Sequence, residues 1–156
     1  MDKDKSKRLI SVNKSASYEY YILEKYEAGI ELKGTEVKSL RVNGANIKES
    51  YADIKNGEIY LIKCHISPYR YGNRANHDPL REKKLLLHKQ EINKISTKIK
   101  EKGQTLIPLK IYLKNGIIKI EMALTKGKKL YDKRETLKKK IIEREIEKSL
   151  KIRTAK

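Results

Sequence analysis

Residues 106–124 read LIPLKIYLKNGIIKIEMAL. Two runs rich in Ile and Leu flank Asn115-Gly116, a dipeptide that tolerates positive φ and therefore suits the two-residue type I′ turn of a β-hairpin. Ile117, Ile118, Ile120, Met122 and Leu124 keep a partial alternation on the return run. The same device occurs upstream, where Asn56-Gly57 separates residues 51–55 from residues 58–66 in YADIKNGEIYLIKCHI. Two antiparallel hairpins make this a mainly β protein.

The segments around the hairpins extend that reading. Residues 18–32, YEYYILEKYEAGIEL, are aromatic and β-branched with Gly29 interrupting them, which suits two strands or one strand with a bulge. Residues 34–41, GTEVKSLR, form a short helix with Thr35 as its N-cap, Glu36 near the positive end of the dipole, and Val37 and Leu40 on one face. Asn43-Gly44 ends it. Residues 67–79, SPYRYGNRANHDP, are loop, with Asp78-Pro79 as a closing turn. His88, Ile92, Ile95 and Ile99 recur at helical steps, and Gly103 stands where a helix stops.

Hairpins with helices inserted between them, and no regular βα alternation, point to an OB-type closed β-barrel with flanking short helices. Closure removes edge strands that so small a sheet protects poorly. Residues 1–12 are a basic N-terminal arm without a sustained period, residues 13–124 the barrel, and residues 125–156 a basic C-terminal tail.

The charge balance indicates the partner. Lys and Arg number 38 against 20 Asp and Glu, a net +18 with a pI of 9.8, the electrostatic footprint of a polyanion binder. Residues 125–156 hold 13 of those cations and 5 of the anions. On a helical projection, Leu130, Leu137, Ile141 and Ile152 fall in one sector and Ile142, Ile146 and Leu150 roughly opposite, so no single stripe faces a core. The tail is therefore expected to be disordered when free and helical on binding.

Cys64 is the only cysteine, so no intrachain disulfide forms and a reducing cytoplasm fits the chain. The charged start carries no secretory h-region, and no run of about 18 apolar residues suggests a membrane span. Trp and Phe are absent while Tyr occurs ten times, so every aromatic available for stacking on a base bears a hydroxyl.

Little here supports catalysis. Cys64 and His65 are strand neighbours whose side chains point to opposite faces, so they do not form a nucleophile and base pair. His77 and His88 complete no metal-ligand spacing, and no nucleotide-binding glycine motif is present. No cofactor is implied. RNA binding has more parts: Lys83-Lys84 at the entry to the second helix, with Arg70, Arg74 and Arg81 nearby, form a phosphate-positioning set. Leu85-Leu86-Leu87 cannot all face one core in a helix, which leaves one leucine exposed for use.

Taken together, Asn13-Lys14 with Ala16 and Tyr20, then YEAGIELKGTEVKSLR (26–41), ANIKESYADIKNGE (45–58), HISPY (65–69), NHDPLREKKLLLHKQEI (76–92) and TKGKKLYDKRE (125–135) resemble the small protein B family of bacterial trans-translation. The resemblance implies a non-enzymatic adaptor whose barrel holds the tRNA-like domain of tmRNA and enters the vacant decoding site of a stalled ribosome, where the nascent peptide is tagged for degradation. It implies RNA contacts at Asn13, Glu27, Lys84 and Leu86, with Lys14 and Lys38 as neighbours. Glu27 would accept from base or ribose donors, or hold nearby cations in place. Lys126, Lys128, Lys129, Tyr131, Asp132, Lys133 and Arg134 would follow the empty mRNA path of the small subunit. Through tmRNA, alanyl-tRNA synthetase and elongation factor Tu are indirect partners, and the chain acts as a cytoplasmic monomer. Many relatives place a histidine where this chain has Tyr18, so a role needing imidazole is not carried over and stacking is what remains. The competing reading is a ribosomal or general single-stranded RNA-binding barrel; an enzyme using Cys64 or a histidine is the third.

Overall fold

The computed structural model describes residues 7–154, apart from the side chains of residues 73, 130, 131 and 152–154. Among the described residues, seven strands and four α-helices follow in the order β1 (Lys7–Val12), α1 (Ala16–Glu19), β2 (Tyr20–Ile30), α2 (Gly34–Asn43), β3 (Tyr51–Lys55), β4 (Glu58–Ile62), β5 (Lys83–Leu86), α3 (Lys89–Lys102), β6 (Thr105–Lys114), β7 (Ile117–Gly127) and α4 (Leu130–Thr154). All strand pairings are antiparallel, in the sheet order β1-β6-β3-β4-β5-β2-β7, and β6 also pairs with β7.

Both hairpins form where the Asn-Gly pairs stand. Asn56 and Gly57 have φ of 54° and 76°, and Asn115 and Gly116 have 52° and 78°; positive φ at both central positions is the geometry of a type I′ turn. That turn sets the register, so Ile118, Ile120, Met122 and Leu124 of β7 face inward with Ile59 and Leu61 of β4. Leu40 of α2 and Ile92 and Ile95 of α3 close the same core. Each large aliphatic side chain buried this way contributes about 1.5–3 kcal/mol.

Several local expectations change. β2 is one strand, and its irregularity falls between Ile22 and Glu24 rather than at Gly29. Helix α2 is capped from Lys33, whose N–H donates to Glu36 Oε1 at 2.7 Å. Thr35 lies inside the helix, and its hydroxyl meets His77 Nδ1 instead. The chain around Leu85 is strand, not helix: alternation buries Lys83 and Leu85 and turns Lys84 and Leu86 outward, and α3 starts only at Lys89. Its end is as expected, with Gly103 at φ 62°.

The N-terminal segment is also more regular than its mixed composition suggests. Lys7–Val12 lies along β6 with Lys7 opposite Lys114 and Leu9 opposite Tyr112. Lys7 Nζ sits 4.1 Å from the Tyr112 ring centroid, so a lysine supplies the cover that sequence periodicity could not reveal.

The tail corrects the expectation of disorder in the free chain. It is the 25-residue helix α4. The physical reason is length and composition: 25 residues rich in Leu, Lys, Glu and Arg exceed the ~12–15 at which an isolated helix becomes marginal, with Glu135 and Lys138 paired one turn apart. The lack of a core-facing stripe does hold, since Leu137, Ile141, Ile142, Ile146 and Leu150 are each 47–55% exposed.

Candidate nucleic-acid interface

Two strands bring three of the expected RNA contacts onto one outward face. Gly29 of β2 is registered against Leu86 of β5, and the Glu31 N–H donates to the Lys84 carbonyl at 2.9 Å. Alternation from those points places Glu27, Lys84 and Leu86 outward together. Leu86 is 52% exposed. Gly29 makes room for it, because a Cβ at position 29 would stand 3.2 Å from Leu86 Cβ, tighter than ordinary contact.

Glu27 is embedded in donors from a second hairpin. Tyr112 donates its hydroxyl to Glu27 Oε2 at 2.5 Å, and Lys114 Nζ lies 3.3 Å from Oε1. The Tyr112 hydrogen bond, aided by Lys114 against a smaller cost of desolvation, holds the Glu27 carboxyl below the usual carboxylate range. Burial first, then the same carboxylate, pushes the Tyr112 phenol up. The carboxylate is thus an organiser of neighbouring groups, with Lys119 opposite Gly29 and Lys25 and Lys110 reaching Glu121. Tyr112, Lys114 and Lys119 were missed by the sequence reading; only strand register could have shown that they flank Glu27. Lys84 Nζ is 3.7 Å from Glu58 Oε2.

The other expected contacts lie elsewhere. Asn13 is 8% exposed. Its Nδ2 donates to the Pro108 carbonyl, its N–H to the Leu109 carbonyl, and its Oδ1 accepts from Ser15, so it joins the end of β1 to β6. Lys14 beside it is exposed. Lys38 is exposed on α2, with Nζ 5.7 Å from the Tyr69 ring centroid.

The proposed phosphate set divides sharply. Arg70 and Arg74 are exposed, whereas Lys83 is fully buried, donating to the carbonyls of Cys64 and Arg81 at 2.9 and 2.6 Å. Burial pushes the Lys83 ammonium pKa down. Arg81 binds the fully buried Glu36 carboxylate at 2.5 Å, and Lys83 lies 3.8 Å from it. Lys83 of β5 and the half-buried Arg81 just before it tie that segment to α2, and RNA cannot reach Lys83.

At the tail, Lys126, Lys129 and Arg134 are exposed and Lys133 partly so. Lys128 is engaged: its N–H donates to the Glu19 carbonyl, and Nζ donates to the Ser17 carbonyl at 2.8 Å and Thr136 Oγ1 at 2.7 Å. Asp132 accepts from the Tyr21 hydroxyl, which raises the Tyr21 pKa. The expected contact of the Tyr131 side chain lies outside the described residues.

The thiol and the histidines differ in burial, with His88 and His65 exposed. Cys64 is fully buried, and desolvation pushes its pKa up to about 11, the opposite of an activated thiolate. His65 is exposed on the neighbouring position. His77 is buried, with Nε2 at 2.9 Å from the Ile66 carbonyl. Among the described residues, no three His, Cys, Asp or Glu side chains cluster as metal ligands, and no helix is long and apolar enough to cross a membrane.

Known proteins are similar to this chain in sequence and fold. The SmpB protein family profile matches residues 10–152. An SsrA-binding protein of Geotalea uraniireducens (strain Rf4) is 56% identical over 148 residues, 95% of this chain and 98% of the relative. That of Bacillus subtilis (strain 168) is 55% identical over 144 residues, 92% of each chain. A solved structure described as "tmRNA-SmpB: a journey to the center of the bacterial ribosome" superposes with a TM-score of 0.66 at 47% identity, covering 81% of this chain and 93% of that one. Identity at this level over nearly the whole length, together with a common fold, means that the chain belongs to the SmpB family.

Proposed function

We propose that this protein binds the tRNA-like domain of tmRNA and positions it in the decoding site of stalled ribosomes, so that the nascent peptide is tagged and the ribosome released. The observation that carries the reading is the outward cluster of Glu27, Lys84 and Leu86 around Gly29, in a chain whose relatives are named SsrA-binding proteins and whose structural neighbour is a tmRNA-SmpB assembly on the ribosome. Leu86 offers an apolar contact for an unstacked base or sugar. Lys84 and the lysines organised by Glu27 meet phosphates. Asn13 acts indirectly, by fastening β1 to β6 beside Lys14.

The six strands β6-β3-β4-β5-β2-β7 each pair with the next, and the β6–β7 ladder joins the two ends. That ring of pairings supports the reading of a closed OB-type barrel, with α4 as a separate arm. Lys126, Lys129, Lys133 and Arg134 on and before α4 suit a channel walled by RNA phosphates. No step requires chemistry from the protein, which acts by placing RNA, as a cytoplasmic monomer, and meets alanyl-tRNA synthetase and elongation factor Tu only through tmRNA.

The test separates the two regions. Deleting residues 127–156 leaves tmRNA affinity within a few-fold of wild type in a binding titration, while tagging on stalled ribosomes is abolished. A loss of tmRNA affinity in proportion to the lost charge, or equal affinity for bulk tRNA, rejects the adaptor in favour of a general RNA binder.

A further inference from the structure

The loop between β4 and β5 is built, although its sequence is rich in Pro, Gly and Asn. Asn76 Oδ1 accepts from the Tyr69 N–H at 2.9 Å, and Asn76 Nδ2 donates to the Tyr69 carbonyl at 2.7 Å. Gly72 lies against this clamp: a Cβ there would come within 2.8 Å of Asn76 Nδ2. Both ends are fastened to α2, one by Ser39 Oγ donating to the Ser67 carbonyl, the other by His77 meeting Thr35 Oγ1 at 2.9 Å. The Glu36–Arg81 pair adds a third fastening.

What this frame presents is aromatic and basic. Tyr69 and Tyr71 meet edge to face, with centroids 5.6 Å apart and an interplanar angle of 70°. Tyr71 is 70% exposed. The Arg70 guanidinium lies 5.7 Å from the Tyr71 centroid, as Lys38 does from Tyr69. No salt bridge among the described residues engages Lys38, Arg41, Arg70 or Arg74. Cations alone would suit any anion. Cations beside an exposed tyrosine ring and a half-buried one, on a backbone held by the Asn76 clamp, add a demand for a planar π surface next to a phosphate, which is an unstacked nucleotide.

We propose that Tyr71, Tyr69, Arg70 and Arg74, with Lys38 of α2, form a further RNA contact that stacks an unpaired nucleotide of the bound tmRNA and holds its phosphates. The loop runs directly into β5, so this contact is continuous along the chain with Lys84 and Leu86. The proposal rests on the tmRNA reading above and extends it to a surface outside the sheet face.

The test is a binding titration of the full chain with the isolated tRNA-like domain, and separately with vacant ribosomes. Tyr71→Ala weakens RNA-domain binding roughly 5- to 150-fold, the range for one base stacked on an aromatic ring, while Tyr71→Phe stays within about twofold because the ring face is retained. Replacing Arg70 and Arg74 by Gln lowers the slope of log affinity against log salt by about 1.4–1.8, two phosphates' worth. If Tyr71→Ala binds the RNA domain like wild type, with unchanged circular dichroism and melting, the proposal is overturned. Loss on ribosomes alone also overturns it and reassigns the loop to ribosomal RNA; loss only in the arginine variants overturns it for an acidic partner. Leu86→Ala separates the two readings. If it weakens binding where Tyr71→Ala does not, the loop proposal fails and the tmRNA reading stands. If the wild-type chain does not prefer this RNA domain to bulk tRNA, the tmRNA reading itself fails.

Discussion

The sheet and helix α4 use the same aliphatic residues to opposite ends. In β7, Ile118, Ile120, Met122 and Leu124 are at most 7% exposed; in α4, Ile141, Ile142, Ile146 and Leu150 are all near half exposed. The difference lies in period. A two-residue repeat matches the pleat and puts these four side chains on one face, whereas the spacing in α4 spreads them around the helix and gives no face worth docking. The sheet is therefore held by burial, and α4 by its own backbone bonds and a polar attachment at its base through Lys128, Asp132, Ser17 and Tyr21. One region is a scaffold whose shape is fixed in isolation. The other is a basic arm free to take an external partner.

The largest break in that comparison would come from the core. Ile120 is fully buried at the centre of β7. Ile120→Ala is expected to cost about 2–5 kcal/mol in urea denaturation, the range for deleting an aliphatic side chain from a packed interior. A loss below about 1 kcal/mol would mean that the inward face of β7 is not the structural centre described above.

An intermediate effect sharpens the comparison through pH. Cys64 is held neutral by desolvation, its pKa raised from 9.0 to about 11. In the unfolded chain the thiol ionises near 9, so between pH 9 and 11 the unfolded state has released a proton that the folded state keeps. The thiol's contribution is complete below pH 9 and is lost as pH rises to 11, a decline of roughly 2–3 kcal/mol at about 1.4 kcal/mol per unit. Tyr26, raised to about 12 chiefly by burial, extends the decline upward. Cys64→Ala should flatten the stability profile over pH 9–11 in urea titrations, and Cys64→Ser should leave tagging unchanged at neutral pH. An unchanged alkaline profile in the alanine variant would place the thiol in water.

Much of the scaffold was legible because local rules and tertiary packing agree there. Asn56-Gly57 and Asn115-Gly116 demanded the hairpins that formed, and Gly103 ended the helix whose isoleucines it followed. Most of the failures share a cause: they concerned groups whose partner is distant in sequence. Lys83 looks like a surface cation until strand pairing drives it inward against the carbonyls of Cys64 and Arg81. Asn13 reads as a surface amide until the Pro108 carbonyl of β6 accepts from it. The strand at Lys7–Val12 was hidden because Tyr112 covers itself with a lysine. For the candidate interface, the family resemblance named Glu27, Lys84 and Leu86, which strand pairing puts on one face, but the Tyr112 and Lys114 donors around Glu27 required the β6–β7 register. The tail was expected to be helical only on binding, because the absence of an amphipathic stripe argues against docking, which holds, and was taken to argue against a helix in the free chain, where the segment is α4.

The smallest expected effect is the most discriminating test of the arm. Ile146 is 55% exposed on α4, far along the helix from the attachment at Lys128. Ala has slightly better helix propensity than Ile, and the substitution removes little area that folding had taken from water. Ile146→Ala should therefore change the unfolding free energy of the whole chain by less than about 0.5 kcal/mol, with helicity by circular dichroism unchanged or slightly higher. A cost approaching that of Ile120→Ala would require α4 to bury Ile146 against the sheet in solution. The tail would then be part of the scaffold, and an arm that must leave the body to lie along an RNA channel would first have to break an apolar interface.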